Sequence, residues 1–205
     1  YRGLRPLRIE QLDLRQGQKI ALLGLDQAAV GVLIDLITAT TLPDTGEVRI
    51  FGRATTKVTD SDKWIALLDQ FGVLSERAVL LEPLSVWQNL VMPHSLELDD
   101  PPAGVREKVD VLAKELGFNR VVLDQPVGEA SKAVRARVRL GRALALDPKV
   151  LLTEHPNLLV DRHEVKALAN DLAQLTSLRN VACLVMTFDR AFAYAVTNEV
   201  LTLEP

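Results

Sequence analysis

Hydrophobic residues follow two patterns along this chain. Continuous apolar runs at 20–23, 149–153 and 181–187 are typical of strands buried on both faces of a parallel sheet. Residues 7–14 instead alternate apolar and polar side chains, which predicts a half-buried strand. Shorter strands are predicted at 47–52, 64–68 and 199–203.

Between these strands, apolar residues recur at helical spacing. The predicted helices cover 28–39, 85–91, 103–116, 130–146 and 162–178. Because helices alternate with strands, we expect an α/β fold with a mainly parallel core sheet and an antiparallel β portion near the amino terminus. The proline-containing stretch 76–128 interrupts this alternation and is predicted to be a helical insertion.

Composition and charge limit the classes of protein to which this chain can belong. With 205 residues, 48% of them hydrophobic, the chain can bury a sizeable core. A net charge of −3 gives no electrostatic footprint for nucleic acid, so we expect no nucleic-acid partner. The arginines at 135, 137, 139 and 142 do not share one helix face, which predicts a solvated or salt-bridged helix. Cys183 lies in an apolar run and is expected to be a buried, inert thiol.

The segment 24–32, GLDQAAVGV, has the frame of a phosphate-binding loop between a buried strand and a helix. Such a loop needs glycines around the phosphates, a lysine for the β- and γ-phosphates and a Ser or Thr for magnesium. Here the lysine position holds Val30 and the hydroxyl position holds Gly31. Asp26 adds a negative charge that would repel phosphate. The frame is present without its reactive groups, so we expect the reaction to be lost or changed.

Three longer stretches carry a family resemblance: TLPDTGEVRIFGR at 41–53, LSVWQNLVMP at 84–93 and GRALALDPKVLLTEHPNLLVD at 141–161. In sequence and spacing they resemble the nucleotide-binding domain of ABC transporters. The resemblance implies a P-loop NTPase-like ABC ATPase fold. It places a RecA-like α/β core with an N-terminal β portion at 1–75 and 136–205, and a helical subdomain at 76–135.

The resemblance also assigns nucleotide-binding positions. It implies that Tyr1 stacks on adenine, and that Gln70 is the glutamine that ends a core strand and can reach a metal ion. The remaining cofactor-binding positions form the phosphate loop: Gly24, Asp26, Gln27, Ala28, Ala29, Val30, Gly31 and Val32.

The chain departs from the family pattern at the reactive positions. The signature falls on 130–134, where Ser131 is kept beside Lys132 but both glycines are lost. Asp161 is kept at the D-loop position. The Walker B aspartate position holds Glu154, which still carries a carboxylate for a metal. The general-base and switch-histidine positions hold His155 and Phe188.

The binding free energy of the missing contacts shows how strongly their loss should weaken ATP binding. Each charge-assisted contact to phosphate contributes roughly 1.5–3 kcal/mol. Losing the lysine, the magnesium hydroxyl and backbone contacts removes about 4–8 kcal/mol, on the order of three or more powers of ten in affinity. We therefore expect weak or absent binding of ATP and Mg²⁺. No catalytic residue or metal ligand is assigned at these positions, and activity as an ATPase is not expected.

Three functions remain open. The first is a degenerate ABC subunit, structural or regulatory, that forms a homodimer or heterodimer and contacts a membrane permease through 76–135, with Trp87, Leu90 and Val91 as docking candidates. It would be a cytoplasmic protein held peripherally at a membrane. The second is a nucleotide sensor or slow ATPase with an altered loop. The third is a soluble interaction module that reuses the fold.

Overall fold

A computed structural model of the chain describes residues 7–58 and 60–203. In this part of the chain, five parallel strands form the main sheet in the order β4-β5-β6-β1-β7. Their bounds are β1 Lys19–Leu23, β4 Phe71–Leu74, β5 Val150–Glu154, β6 Ala182–Thr187 and β7 Val200–Thr202. The parallel core sheet predicted from the continuous apolar runs is confirmed.

A small antiparallel hairpin lies outside this sheet. It joins β2 Arg49–Ile50 to β3 Arg53–Ala54. Residues 7–14 form no strand, so that prediction is wrong. Their alternation instead reflects packing, because Leu7, Ile9, Leu12 and Leu14 pack against the cluster on one face of the sheet while the polar residues between them are solvent-exposed.

Eight α-helices surround the sheet in the described part. Their bounds are α1 Gln27–Ile37, α2 Ser61–Leu68, α3 Val86–Val91, α4 Ala103–Glu115, α5 Arg120–Asp124, α6 Lys132–Leu144, α7 Val165–Leu178 and α8 Arg190–Val196. The five predicted helices are all present, with ends shifted by a few residues. The predicted strand at 64–68 is wrong, since these residues lie in α2.

α2 is a helix because local signals outweigh its apolar run. Asp60 caps it by accepting the amide of Asp62 at 3.0 Å. The indole of Trp64 donates to the Thr38 carbonyl at 3.0 Å and anchors the helix to the end of α1. The WIALL run therefore winds around a surface helix, with Trp64, Leu67 and Leu68 partly buried and Ile65 exposed, and the neighbouring strand β4 begins only at Phe71.

Buried Asn89 organises the entry to α3. Its side-chain oxygen accepts the amide of Leu81, and its nitrogen donates to the carbonyls of Leu81, Leu84 and Ser85. Ser85 and Gln88 form a capping box at the start of the same helix. This clamp holds the turn at 81–85 against the helices of 76–135, whose core is continuous with that of the sheet.

The arginines of α6 are used within the protein. Arg139 and Arg142 donate to the carbonyls of Ala78 and Val79, and Arg135 contacts Glu82 at 3.4 Å. These three share a side of α6 and Arg137 does not, so the prediction that the four arginines share no single face is confirmed. Arg137 lies on another side and pairs with Asp171 at 2.6 Å, as a salt-bridged helix predicts.

Two further sequence expectations can be compared with the structure. Cys183 is fully buried in β6, and burial raises the pKa of its thiol to about 12, as expected of an inert group. Within the described residues, each helix falls short of the length and apolarity needed to cross a membrane.

Candidate nucleotide site at the carboxyl edge of the sheet

The turn between β1 and α1 is short. Only Gly24, Leu25 and Asp26 separate the end of the strand from the first helical residue, and the predicted loop positions 27–32 lie in the helix. Gly24 has φ +96°, and a Cβ there would lie 2.9 Å from the carbonyl oxygen of Leu203. This position requires glycine for both backbone conformation and space. The backbone turns sharply into the helix instead of wrapping around a phosphate-sized space.

Asp26 caps α1. Its carboxylate accepts the amide of Ala29 at 2.7 Å, and its carbonyl accepts the amide of Val30 at 3.0 Å. A helix amino terminus is where anions bind, because its first amides lack partners within the helix. Here one of these amides is already bonded to the chain's own negative charge.

Val30 and Gly31 face different surroundings. Val30 has no solvent-accessible surface and packs with Leu152 and Met186 in the sheet core. Gly31 faces Arg77, and a Cβ built on Gly31 would lie 3.7 Å from a terminal guanidinium nitrogen of that residue. The position that the resemblance assigns to a magnesium-binding hydroxyl therefore lies beside a guanidinium.

Glu154, at the end of β5, has both carboxylate oxygens bonded. Ser75 donates its hydroxyl to Oε2 at 2.5 Å, and Arg77 donates to Oε1 at 2.7 Å. The backbone amide of Arg77 donates in turn to the Ser75 hydroxyl at 3.1 Å. Glu154 is only 6% exposed, so this bonding compensates a carboxylate that is largely removed from water.

Sequence reasoning missed Ser75 and Arg77. Both follow β4, whose carboxyl end lies beside that of β5 because the two strands are parallel neighbours. A polar run, Ser75-Glu76-Arg77, directly after an apolar strand was the available signal. It was overlooked because β4 had been placed at 64–68.

His155 follows Glu154 and is 3% exposed. Its backbone is left-handed with φ +42°, and its ring lies against Phe188 with centroids 4.6 Å apart. Among the described residues, neither ring nitrogen has a hydrogen-bond partner. Burial lowers the pKa of His155, while the charges of Glu154 and Asp26 act in the opposite direction. The imidazole is therefore held neutral beside the Glu154 cluster.

The signature and D-loop positions are joined to one another. Ser131 caps α6 by accepting the amide of Val134 at 3.3 Å. Lys132 lies 2.7 Å from a carboxylate oxygen of Asp161, and this pair raises the pKa of the lysine and lowers that of the aspartate. Both side chains are solvent-exposed, so the pair tethers two surface segments without supplying a large stabilisation.

Gln70 lies away from the carboxyl edge of the sheet, where Ser75 and Arg77 contact Glu154. It precedes β4 and lies at the amino edge of the sheet, where its carbonyl accepts the amides of Lys149 and Val150. The prediction that it ends the core strand is wrong, because that strand begins after it. Tyr1 lies outside the described residues. No group of three or more His, Cys, Asp or Glu side chains able to hold a metal is found in 7–58 and 60–203.

Comparison with known protein families identifies the family to which the chain belongs. The family model described as ABC transporter matches residues 7–157, which is more than half of the chain. The chain belongs to the ABC transporter family. Its fold is that of the family's nucleotide-binding domain, as the sequence motifs predicted.

Several curated proteins are similar to this cassette over most of its length. It is 26% identical to the lipoprotein-releasing system ATP-binding protein LolD of Saccharophagus degradans, covering 97% of this chain and 86% of that protein. It is 25% identical to the methionine import ATP-binding protein MetN of Haemophilus influenzae, covering 94% of this chain and 55% of that protein.

Solved structures agree on the fold of the cassette. The cbiO1 protein of Clostridium perfringens, part of the ABC transporter complex cbiONQ, superposes with a TM-score of 0.80 at 18% identity, covering 93% of this chain and 75% of that one. The dimeric bacterial cassette MJ0796 superposes with a TM-score of 0.74 at 20% identity, covering 94% of this chain and 83% of that one.

Proposed function

We infer that this chain is a catalytically degenerate ABC subunit, which acts as a structural or regulatory partner in a membrane transport complex. The observation that carries this inference is the contact between Arg77 and Glu154 beside Gly31. It puts a positive group beside Glu154 and Gly31, the positions that the resemblance assigns to metal binding.

Magnesium does not fit this set of groups. Mg²⁺ requires near-octahedral oxygen ligands. Gly31 offers no hydroxyl, and both oxygens of Glu154 already accept hydrogen bonds. A guanidinium in contact with the same carboxylate also repels a second cation. The donor set supports a site whose positive charge comes from the protein.

The phosphates of ATP fit no better. The side chain at the lysine position, Val30, is directed into the core instead of toward the turn. The carboxylate of Asp26 accepts the Ala29 amide and adds negative charge where phosphate would approach. These features support a nucleotide site that has been replaced by internal contacts.

We place the membrane partner on the helical subdomain, which we propose to be 76–135. Val79, Leu96 and Val121 are 70%, 90% and 80% exposed there, which leaves their side chains accessible to a partner. Of the docking candidates from sequence, Leu90 and Val91 are fully buried and unavailable. Trp87 is partly exposed, but its indole donates to Asp110 and lies under Arg106.

The subunit is proposed to dimerise with itself or with another ABC ATPase subunit. The exposed pair Lys132 and Asp161 joins the signature and D-loop positions, which lie at the dimer contact in the family. Together with a permease partner, this arrangement would hold the protein on the cytoplasmic face of a membrane.

Two measurements test the proposal. In thermal melts, a ligand at 100 times its dissociation constant adds about 2.7 kcal/mol to the free energy of unfolding. We expect no ATP-dependent shift and no Mg²⁺-dependent hydrolysis, with a cassette that retains the phosphate-loop lysine as the positive control. A shift together with hydrolysis would refute degeneracy.

The second measurement is fractionation in native cells. We expect the chain to sediment with membranes, and Leu96→Glu to release it. Leu178→Glu is the matched control, since Leu178 is also well exposed but lies on α7, outside the helical subdomain. A chain found entirely in the soluble fraction would refute the membrane partner.

A further inference from the structure

A second candidate site lies on the opposite edge of the sheet. An open cleft of about 720 Å³ is bounded by the β2–β3 hairpin, by α2 and by Gln70 and Lys149. These two residues directly precede β4 and β5. Since the strands are parallel, the cleft lies at their amino ends, whereas Gly24 and Glu154 lie at the carboxyl ends. The cleft is therefore separate from the nucleotide site.

The cleft is strongly cationic although the chain as a whole carries a net charge of −3. None of the described residues that line it is acidic, and five are basic: Arg49, Arg53, Lys57, Lys63 and Lys149. Carboxylates from outside the cleft pair with two of these five, Arg49 and Lys63. Within 7–58 and 60–203, Arg53, Lys57 and Lys149 form no salt bridge. A concentration of like charge of this kind favours an anionic ligand.

An aromatic platform lies within this charge. Phe51 is 47% exposed, with its ring centroid 5.9 Å from that of Phe71 and 5.2 Å from the ammonium of Lys149. Its backbone has φ +49° and that of Gly52 has φ +78°, as the two-residue turn of the β2–β3 hairpin requires. The turn thus holds an exposed ring beside a cation instead of burying it.

The remaining lining offers an apolar floor and one polar group. Ile50, Ala54 and Leu67 contribute apolar surface. Thr55 is 2% exposed, and its hydroxyl has no hydrogen-bond partner among the described residues. Buried hydroxyls usually have such a partner, so an unpaired hydroxyl in the lining favours a ligand that can form a hydrogen bond.

We propose that this cleft binds a small aromatic phosphate, with its ring against Phe51 and its phosphate among Arg53, Lys57 and Lys149. The volume lies within the range of about 300–1,000 Å³ that is typical of small-molecule sites. Lysine and arginine donors bind phosphate oxygens through charge-assisted hydrogen bonds, and the exposed ring face accepts a second aromatic ring.

Calorimetry on the intact chain, without nucleotide or Mg²⁺, tests the proposal with phenyl phosphate as the probe. Inorganic phosphate lacks the ring and phenol lacks the charge, so each isolates one half of the recognition. We expect phenyl phosphate to bind about tenfold or more tightly than either. Equal binding of inorganic phosphate and phenyl phosphate, or no binding of phenyl phosphate, would overturn the proposal.

Two variants assign the binding to this cleft. Phe51→Gly removes the ring while relieving the positive φ, so the fold should be retained, which a thermal melt checks. A triple variant, Arg53→Gln, Lys57→Gln, Lys149→Gln, removes the unpaired charges. Each variant is expected to weaken the binding of phenyl phosphate by about tenfold or more. Unchanged affinity in both would overturn the proposal.

A charge-matched control uses exposed cations that do not line the cleft, Lys114→Gln, Arg162→Gln, Lys166→Gln, and should leave binding unchanged. An equal loss in this control would mean that net charge alone attracts the probe, which overturns the proposed site.

Adenosine monophosphate, titrated in parallel with phenyl phosphate, shows whether the natural ligand is a nucleotide or a smaller aromatic phosphate. Tighter binding that is lost in Phe51→Gly indicates a nucleotide, and weaker binding indicates a smaller aromatic phosphate.

Discussion

A terminal guanidinium nitrogen of Arg77 lies 2.7 Å from Oε1 of Glu154, at the carboxyl edge of the parallel sheet. The two residues are 77 positions apart in sequence, and only the adjacency of β4 and β5 brings them together. Glu154 is largely buried, whereas the Arg77 side chain is 63% exposed. The contact therefore compensates a buried carboxylate with a cation that solvent still screens.

Replacing Arg77 by methionine should lower the free energy of unfolding by about 1–2 kcal/mol. The buried carboxylate of Glu154 then keeps only the Ser75 hydroxyl as a hydrogen-bond donor, but the loss is limited because solvent already screens the exposed guanidinium. Urea unfolding measures this change. In the double variant Arg77→Met, Glu154→Gln most of the loss should be recovered, since no charge is left unpaired. A double variant with additive losses would mean that the two residues do not interact.

His155 makes stability depend on pH. Burial lowers its folded pKa below the ordinary value of 6.5, so the unfolded state binds more protons as the pH falls through 6.5. Stability should therefore decrease below about pH 6.5, by at most about 1.4 kcal/mol per pH unit for one group. Burial lowers the pKa of His94 as well, and it adds to the same trend.

The variant His155→Asn tests this assignment, since asparagine tolerates the left-handed backbone and does not titrate. Urea midpoints at pH 5.5 and 7.5 should differ less in this variant than in the native chain. His163→Asn, at an exposed position, is the matched control and should keep the native difference. An unchanged pH dependence in His155→Asn would contradict the burial effect.

The strands β5 and β6 were predictable because their continuous apolar runs are buried on both faces of the sheet. The helix α7 was predictable because its apolar side chains recur at helical spacing over several turns. The WIALL segment was assigned wrongly because five apolar residues fit either a buried strand or a short surface helix. The Asp60 cap and the Trp64 anchor decided between them, and the second involves a partner 26 residues away.

The site was predictable only in part, for a related reason. The loss of the lysine and hydroxyl at Val30 and Gly31 is visible in the sequence. The contacts of Ser75 and Arg77 with Glu154 are not visible in the sequence, because they depend on the order of the strands in the sheet. Placing β4 too early in the chain also assigned Gln70 to the wrong edge of the sheet.

Gly24 should be difficult to replace. An alanine there meets both a positive φ and a carbonyl oxygen at 2.9 Å, so Gly24→Ala should cost about 2–4 kcal/mol of unfolding free energy. Gly46→Ala shares the positive φ but meets nothing within 4 Å, and should cost about 1 kcal/mol. Equal losses in chemical denaturation would show that the close approach to Leu203 does not matter.

Asn89 should be the most sensitive polar residue of the helical region. Asn89→Ala leaves the amide of Leu81 without an acceptor and removes a second donor from three carbonyls that keep a backbone amide, so it should cost about 2–3 kcal/mol. Asn119→Ala removes the exposed cap of α5 and should cost about 1 kcal/mol. Equilibrium unfolding compares the two variants, and a loss at Asn89 no larger than at Asn119 would contradict the clamp.

The most direct test of the degenerate site is calorimetry of ATP with Mg²⁺ on the intact native chain. With Arg77 bonded to Glu154 and Asp26 capping α1, we expect no binding heat up to about 1 mM ATP, which corresponds to a standard free energy weaker than about −4 kcal/mol. Micromolar binding that depends on Mg²⁺ would contradict the account, because it would require the Arg77 contact to give way to a metal ion.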